Sequence, residues 1–296
     1  MSGLLHGQII AAFGRQYLVR LDDDSEIACL TRGKKSEAVC GDRVEIRRTA
    51  ETASENGTGA QGVIESIAPR RSLLHRSDAF REKLIAANVT QIIVVVAAQP
   101  SFSDELLTRC LIAASDQKLE VLIVLNKCDL TAAASLARDQ LAPYTGIGYR
   151  ALELSAKQDV SALRPFLRGH TSVLVGQSGM GKSTLINALL PGAQAATREI
   201  SAVLDSGKHT TTHARLYRID ADSKLIDCPG VQAFGLHHLS FGGIEQGFVE
   251  FAQYLGQCRF HDCRHAHEPG CALRDAAKEG KINARRLELF RQIAGK

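Results

Sequence analysis

The sequence predicts an α/β domain with a mostly parallel sheet, preceded by a small β-barrel and followed by a small helical domain. Three observations lead to this fold class. Short strand-like runs separated by turn-prone stretches fill residues 1–68, which is typical of a barrel or sandwich. Near-continuous apolar runs alternate with helical patterns over 69–236, as in a parallel sheet covered on both faces. Residues 237–296 combine helical patterns with clustered cysteines and histidines.

Composition limits the class of protein. The 296 residues are 45% hydrophobic and 23% charged, close to globular averages, so general disorder is not expected. No apolar run reaches the ~18 residues of a membrane helix, and the first residues do not resemble a secretory signal. Eight cysteines without a regular disulfide spacing indicate a reduced, cytoplasmic protein. The net charge of +4 permits an anionic partner without requiring one.

The elements of the central region follow from apolar periodicity and helix-end signals. Ser103 is expected to cap the first helix, and Pro143 to end the second. The strands predicted in this region are 91–98, 121–125, 149–154, 172–176, 214–220 and 224–227, and the helices are 103–118, 133–141, 160–167 and 182–190.

A glycine-rich loop joins the strand at 172–176 to the helix at 182–190. Residues 176–183 match G-x-x-x-x-G-K-S in the strand–loop–helix context that the motif requires. Glycines let backbone amides converge on phosphate oxygens, and the helix N-terminus adds positive potential. Lys182 is expected to neutralise phosphate charge in catalysis, and Ser183 to ligate Mg²⁺. The predicted nucleotide-binding residues here are Gly176, Gln177, Ser178, Gly179, Met180, Gly181, Lys182, Ser183 and Thr184.

Two later motifs fit the switch segments of a nucleotide hydrolase. In Asp227-Cys-Pro-Gly230, the aspartate can hold the Mg²⁺ shell and the Gly230 amide can sense the γ-phosphate. The run of threonines before the strand at 214–220 can close over Mg²⁺ through one hydroxyl. Thr212 is favoured for this role, and Thr211 stays open as the alternative.

A base-recognition motif, Asn126-Lys-Cys-Asp129, follows the strand at 121–125. The Asp129 carboxylate can accept hydrogen bonds from N1–H and N2–H₂ of guanine. Adenine offers neither donor, so a buried aspartate would reject it. Asn126 is expected to hold the loop, and the stem of Lys127 to lie across the ring.

A second base motif, Ser155-Ala156-Lys157, ends the strand at 149–154. The Ala156 amide would meet guanine O6, and Lys157 would cover the other ring face. Both base motifs precede the phosphate loop, the reverse of the usual GTPase order. A parallel sheet tolerates such a rotation when a short linker, here 167–171, joins the old chain ends. The second switch then runs directly into the C-terminal domain.

The motifs in this order resemble the RsgA or YjeQ family of circularly permuted bacterial GTPases, which are small-ribosomal-subunit assembly factors. The resemblance runs from about residue 5 to the end. It implies that the first domain is an OB-fold, that both flanking domains grip the small subunit with its 16S rRNA, and that docking stimulates GTP hydrolysis. It also implies that His238 orients the attacking water. Val231 occupies the position where many GTPases place glutamine, so slow intrinsic hydrolysis is expected.

The C-terminal cluster supplies a tetrahedral set of soft ligands, typical of a structural Zn²⁺ site. Three cysteines and three histidines lie between residues 258 and 271. His261 and His267 are nearby alternatives, but the family spacing C-x4-C-x-H-x5-C selects His265. The predicted zinc ligands are Cys258, Cys263, His265 and Cys271.

Basic residues on the flanking regions suit recognition of folded RNA by shape and phosphate. We expect a monomer that works on the small subunit. Two alternatives stay open: an RNA-binding module that uses GTP only as an affinity switch, and a zinc-containing P-loop kinase or ATPase, against which Asp129 argues. The basic residues are Arg32, Lys34, Lys35, Arg43, Arg47, Arg48, Arg70, Arg71, Arg76, Arg81, Lys83, Arg274, Lys278, Lys281, Arg285, Arg286 and Arg291.

Overall fold

The computed structural model of the protein describes residues 4–32, 37–49, 61–78, 81–192, 214–228 and 235–295. Within these ranges, a barrel, an α/β unit and a helical region follow one another along the chain. Across the same ranges, none of the helices combines the length and the apolar character needed to cross a bilayer.

The N-terminal region forms, in its described residues, a closed barrel of five strands. These are β1 (Leu5–Phe13), β2 (Gln16–Leu21), β3 (Glu26–Thr31), β4 (Arg43–Arg48) and β5 (Gly62–Ile67). The sheet closes because β1 pairs with both β2 and β4, while β3 pairs in parallel with β5. Every second residue of β2 is buried, which places Tyr17 and Val19 in the barrel core. This arrangement is OB-like, and the predicted barrel is confirmed.

A β-hairpin that the sequence patterns do not predict follows the barrel, with strands β6 (Leu73–Asp78) and β7 (Arg81–Ala87). Charged residues interrupt its apolar alternation, so the period-2 signal is weak. The segment that leads into it is fixed to the barrel by Asp42. This fully buried carboxylate accepts hydrogen bonds from Arg70 at 2.7 and 2.8 Å and from the Val39 amide at 2.8 Å. Arg70 is therefore engaged within the fold.

The central sheet has, among the described residues, six strands in the order β10-β9-β8-β11-β13-β12. All are parallel except β12, which runs antiparallel to β13. All seven residues of β8 are buried, as the continuous apolar run predicts. A single bridge between Ala11 and Arg215 joins β12 to the barrel strand β1. The strands are β8 (Gln91–Ala97), β9 (Glu120–Asn126), β10 (Arg150–Glu153), β11 (Thr171–Val175), β12 (Arg215–Arg218) and β13 (Lys224–Asp227).

Helices α1 (Asp104–Asp116), α2 (Thr131–Thr145), α3 (Arg164–Leu167) and α4 (Lys182–Leu189) accompany this sheet. Ser103 caps α1 as predicted, because its hydroxyl accepts a hydrogen bond from the Leu106 amide at 3.2 Å. The expectation that Pro143 ends α2 is wrong, since the helix continues to Thr145. A proline in the last turn removes only one backbone hydrogen bond, which the helix tolerates. The helix predicted at 160–167 is a 3₁₀ turn, Ser161–Leu163, followed by α3.

The C-terminal region packs its helices around phenylalanines and against α1. It contains α5 (Phe241–Gln246), α6 (Ala272–Lys278) and α7 (Ala284–Ala294). The rings of Phe248 and Phe251 stack with their centroids 4.9 Å apart, and both meet the Phe290 ring edge-on at centroid distances of 5.4 Å. Arg286 is fully buried between α7 and α1, so its expected place on an exposed basic surface is wrong. The domain boundaries predicted after residues 68 and 236 stay predictions.

Candidate nucleotide-binding site and metal centre

Three loops with predicted motifs meet at one edge of the central sheet. The phosphate loop follows β11, the Asn126 motif follows β9, and the Ser155 motif follows β10. The carboxyl ends of parallel strands lie at the same edge of a sheet, and ligands bind there in open α/β folds. Asp227 ends β13 at this same edge, next to β11. The rotated order of the motifs in the chain therefore still produces one cluster.

The side chain of Asn126 connects all three loops. Its Nδ2 donates to the Met180 carbonyl in the phosphate loop at 2.9 Å. Its Oδ1 accepts from the Lys127 amide at 2.8 Å and from the Ala156 amide at 2.9 Å. The residue is buried, with 2% exposure, so each lost bond would leave a polar group without compensation from water. Asn126 therefore fixes the base motifs relative to the phosphate loop.

Lys127 and Gly181 fit closely around this asparagine. Lys127 adopts a left-handed backbone with φ of 63°, and its Nζ donates to the carbonyls of Gln99 and Gly179, both at 2.7 Å. Gly181 has φ of 91°, and a Cβ at this position would lie 2.3 Å from Asn126 Nδ2. Only glycine combines that backbone with that close approach.

Lys182 and Asp227 place a cation and a carboxylate beside the phosphate loop. The Lys182 ammonium donates to the carbonyls of Gly176 at 2.5 Å and Gln177 at 2.8 Å. Burial lowers the pKa of Lys182, and the charge of Asp227 opposes that shift. Burial likewise raises the pKa of Asp227, against the effect of Lys182. In this half-buried place, Lys182 thus supplies a positive charge for phosphate, and Asp227 supplies a negative charge for a divalent cation.

The other loop residues divide into buried supports and exposed groups. Met180 is buried with 1% exposure, and its carbonyl is taken by Asn126. Ser178, Ser183 and Thr184 are at least partly exposed, the last two in the first turn of α4. The backbone amides of a first helical turn have no acceptor within the helix, so they can bind an anion.

The Asp129 carboxylate lies on the exposed side of the base motifs. The Ser155 hydroxyl is the main cause that lowers the pKa of Asp129, followed among charged groups by Lys157 and Lys127. Ser155 Oγ is buried and forms no hydrogen bond of standard geometry with the described residues, so it acts on Asp129 as a nearby polar group. The carboxylate is exposed in this structure, whereas strong rejection of adenine needs the aspartate to be buried in the complex. Discrimination against adenine here requires the base itself to exclude water from the contact.

A contribution that the sequence patterns miss comes from the segment after β8. The Ser103 amide donates to Gln177 Oε1 in the phosphate loop at 2.8 Å, and Pro100 lies 3.6 Å from the position of a Cβ on Gly179. This segment supports the loop from the side and joins it to the start of α1. The polar Gln99 and the turn-forming Pro100, just after the buried strand β8, are the sequence features that could indicate this segment.

His238 lies away from the phosphate loop. Its Nε2 is 3.8 Å from Asp116 Oδ2, and its ring centroid is 5.1 Å from that of His75. Asp116 ends α1, whereas Ser103 at the other end contacts the loop residue Gln177. A helix of 13 residues is about 20 Å long. The structure therefore does not bring His238 to the site. Gly230, Thr211 and Thr212 lie outside the described residues.

The four predicted metal ligands come together in the C-terminal region. One donor atom from each of Cys258, Cys263, His265 and Cys271 lies within 4.8 Å of the other three. His265 is 4% exposed, whereas His261 and His267 are exposed and outside the cluster. Burial raises the pKa of Cys263 to about 12. A bound cation would offset this effect of burial by stabilising the thiolates, so the donor set fits a structural metal.

Comparisons with known proteins agree with this geometry. A model of the RsgA GTPase family matches residues 67–237. "Small ribosomal subunit biogenesis GTPase RsgA" from Nitrosospira multiformis is 55% identical over 289 residues, which are 98% of this chain and 90% of that protein. The protein of the same name from Nitrosomonas europaea is 51% identical over 292 residues, with 98% and 90% covered.

Two solved structures share the architecture over nearly the whole chain. YjeQ from Thermotoga maritima has a TM-score of 0.73 at 28% identity, covering 99% of this chain and 98% of its own. YloQ, described as a circularly permuted GTPase, has a TM-score of 0.69 at 25% identity, covering 99% and 94%. The predicted permuted fold is confirmed. Together with the family match and the relatives above, these similarities show that the chain belongs to the RsgA GTPase family.

Proposed function

We propose that this protein hydrolyses GTP to GDP and phosphate at the edge where the loops after β9, β10 and β11 meet. The observation that carries the proposal is the set of three hydrogen bonds, one donated and two accepted, that the buried Asn126 side chain forms with those loops. They hold a base-recognition loop at a fixed distance from a phosphate loop, as a purine triphosphate requires.

The base end of the site is built to accept guanine. The lowered pKa of Asp129 keeps it an acceptor for the two N–H groups of guanine at neutral pH. The Ala156 N–H donates to Asn126 Oδ1 in this structure, so donating to guanine O6 on nucleotide binding requires it to exchange that acceptor. We expect the stems of Lys127 and Lys157 to lie over the two ring faces, while the Ser155 hydroxyl helps to keep the pKa of Asp129 low.

The phosphate end is built around Lys182. On nucleotide binding we expect its ammonium to exchange the two loop carbonyls for phosphate oxygens, assisted by the loop amides and Gly230. Ser183, Asp227 and one of Thr211 or Thr212 are the proposed ligands of Mg²⁺. When bound, this ion neutralises charge on the phosphates.

Hydrolysis by the protein alone should be slow. The position after the Asp-x-x-Gly motif is Val231, which cannot orient water. A catalytic role for His238 requires that it leave the end of α1 and approach the phosphates. We propose that a partner supplies this activation.

The proposed partner is the small ribosomal subunit with its 16S rRNA. We propose that the protein itself is a cytoplasmic monomer. The relatives at 51–55% identity carry this subunit in their names. Exposed basic side chains on both flanking domains suit phosphate contacts. Arg43, Arg47, Lys278 and Lys281 are each more than half exposed, although each has an acidic neighbour. The proposed metal of the cysteine–histidine cluster is Zn²⁺, which favours three thiolates and one imidazole.

A second candidate is an RNA-binding module for which nucleotide sets only the affinity. The distance of His238 from the phosphate loop favours it. Multiple-turnover phosphate release, measured alone, with small subunits and with large subunits, separates the two. We expect at least about tenfold stimulation by small subunits only, a transition-state gain of ~1.4 kcal/mol. Unchanged turnover with small subunits would support the module.

A further inference from the structure

A glutamate from outside the cysteine–histidine cluster contacts the imidazole of His265. Glu245, in α5, places its Oε1 2.5 Å from His265 Nε2. The two side chains are 18% and 5% exposed. An ionised carboxylate only accepts hydrogen bonds, so Nε2 must carry the hydrogen. The tautomer is thereby fixed, and Nδ1 keeps the lone pair that a metal needs.

The other ring nitrogen faces the thiols. His265 Nδ1 lies 3.2 Å from Cys271 Sγ and 3.5 Å from Cys258 Sγ. The glutamate and the proposed metal position therefore lie on opposite sides of one imidazole. In protein metal sites, a carboxylate in this position orients the ring and raises its basicity.

The backbone at this histidine needs such support. His265 has φ of 59°, a left-handed conformation that L residues adopt rarely. Arg291 Nε donates to the His265 carbonyl at 2.8 Å, and the Phe241 ring stacks against the imidazole at 6.4 Å. Both Phe241 and Glu245 belong to α5. The imidazole is thus held by the helix that begins three residues after His238.

We propose that Glu245 is a positioning residue of the metal centre, which holds His265 Nδ1 towards the three thiolates and thereby joins α5 to the metal. Metal affinity then depends on a residue outside the cysteine–histidine segment. The order of α5 depends in turn on the metal, because the imidazole is the contact that they share.

The experiment uses the full-length protein loaded with Zn²⁺ and titrated with a chromophoric chelator. The variants are Glu245→Ala, Glu245→Gln and a control, Glu288→Gln, whose carboxylate is 55% exposed and pairs with Arg285. We expect Glu245→Ala to weaken zinc binding by about 10–100-fold. Glu245→Gln, whose amide oxygen still accepts from Nε2, should lose less. The control should match the wild type.

Hydrogen exchange of the α5 amides gives an independent readout without nucleotide. Removing zinc should raise exchange in α5 strongly in the wild type and little in Glu245→Ala, where the connection is already broken. Wild-type zinc affinity in both Glu245 variants would overturn the proposal, as would α5 exchange that ignores the metal. If Glu245→Ala does not fold, by circular dichroism, Glu245→Leu takes its place in both tests, because it removes the hydrogen-bond acceptor and keeps most of the side-chain bulk.

Discussion

Replacing Lys182 with alanine should lower the single-turnover rate of GTP hydrolysis by about 10²–10³-fold, the usual effect of removing one fixed donor from developing charge. The ammonium is held at the phosphate loop by two carbonyls, at 2.5 and 2.8 Å. Its loss leaves phosphate charge unopposed and removes the cation that lowers the pKa of Asp227. Phosphate release from pre-bound GTP is the measurement.

The matched control is Lys278→Ala, because that lysine is 70% exposed and pairs with Asp275 on the surface. In the absence of small subunits it should hydrolyse GTP like the wild type. The Lys182→Ala protein should still bind small subunits, since the flanking domains are intact. Near-normal hydrolysis in the Lys182 variant would contradict the proposed phosphate site.

Replacing Arg286 with alanine should lower the free energy of unfolding by about 3–5 kcal/mol, because it leaves a buried carboxylate unpaired. Arg286 Nε lies 2.7 Å from Glu250 Oε1, with the two side chains 2% and 8% exposed. Its Nη1 donates to Thr108 in α1 at 3.0 Å, and its guanidinium covers the Phe248 ring at 4.6 Å. The measurement is urea unfolding monitored by circular dichroism.

The neighbouring Arg285 provides the comparison. It pairs with Asp104 at 2.7 Å but is 46% exposed, so Arg285→Ala should cost less than about 1 kcal/mol. The double variant Arg286→Ala/Glu250→Ala should be less destabilised than the sum of its single variants, because neither charge remains alone. Equal costs for the two arginines would show that burial is not the cause.

The buried Arg286 shows what sequence patterns miss. In the sequence it cannot be told apart from the exposed arginines of the same helix, because only the tertiary fold brings Glu250 and Thr108 to it. The hairpin β6–β7 is missed for a related reason, since charged residues break its alternation. By contrast, the buried strands β8 and β9 are predicted well, because a continuous apolar run of strand length between turn signals is typical of a buried parallel strand.

The candidate site likewise combines features that the sequence predicts with features that it does not. Motifs at strand ends predict the convergence of Asn126, Lys182 and Asp227, since parallel strands place their carboxyl ends together. The position of His238 does not follow from its resemblance to a catalytic residue, because a loop after a switch can lie in more than one place. The exposed Asp129 likewise depends on local side-chain packing.

The structure also adds a physical connection between the nucleotide loop and the C-terminal region. Gln177 binds the Ser103 amide at the start of α1, and the next residue, Asp104, pairs with Arg285 of α7. The permuted order of the motifs places the second switch directly before this region. The first turn of α1 therefore connects the phosphate loop to α7 through side-chain contacts, in addition to the covalent connection through the second switch.

Nucleotide preference of the Asp129→Asn variant tests most directly whether the base loops and the phosphate loop form one site. Xanthine carries a carbonyl where guanine carries N2–H₂, so the asparagine amide can donate to it while its oxygen accepts from N1–H. We predict that kcat/KM falls for GTP and rises for xanthosine triphosphate until the preference reverses. A variant that keeps the wild-type preference for GTP would contradict the proposed site, because Asp129 would then not contact the base of the nucleotide whose phosphates bind Lys182.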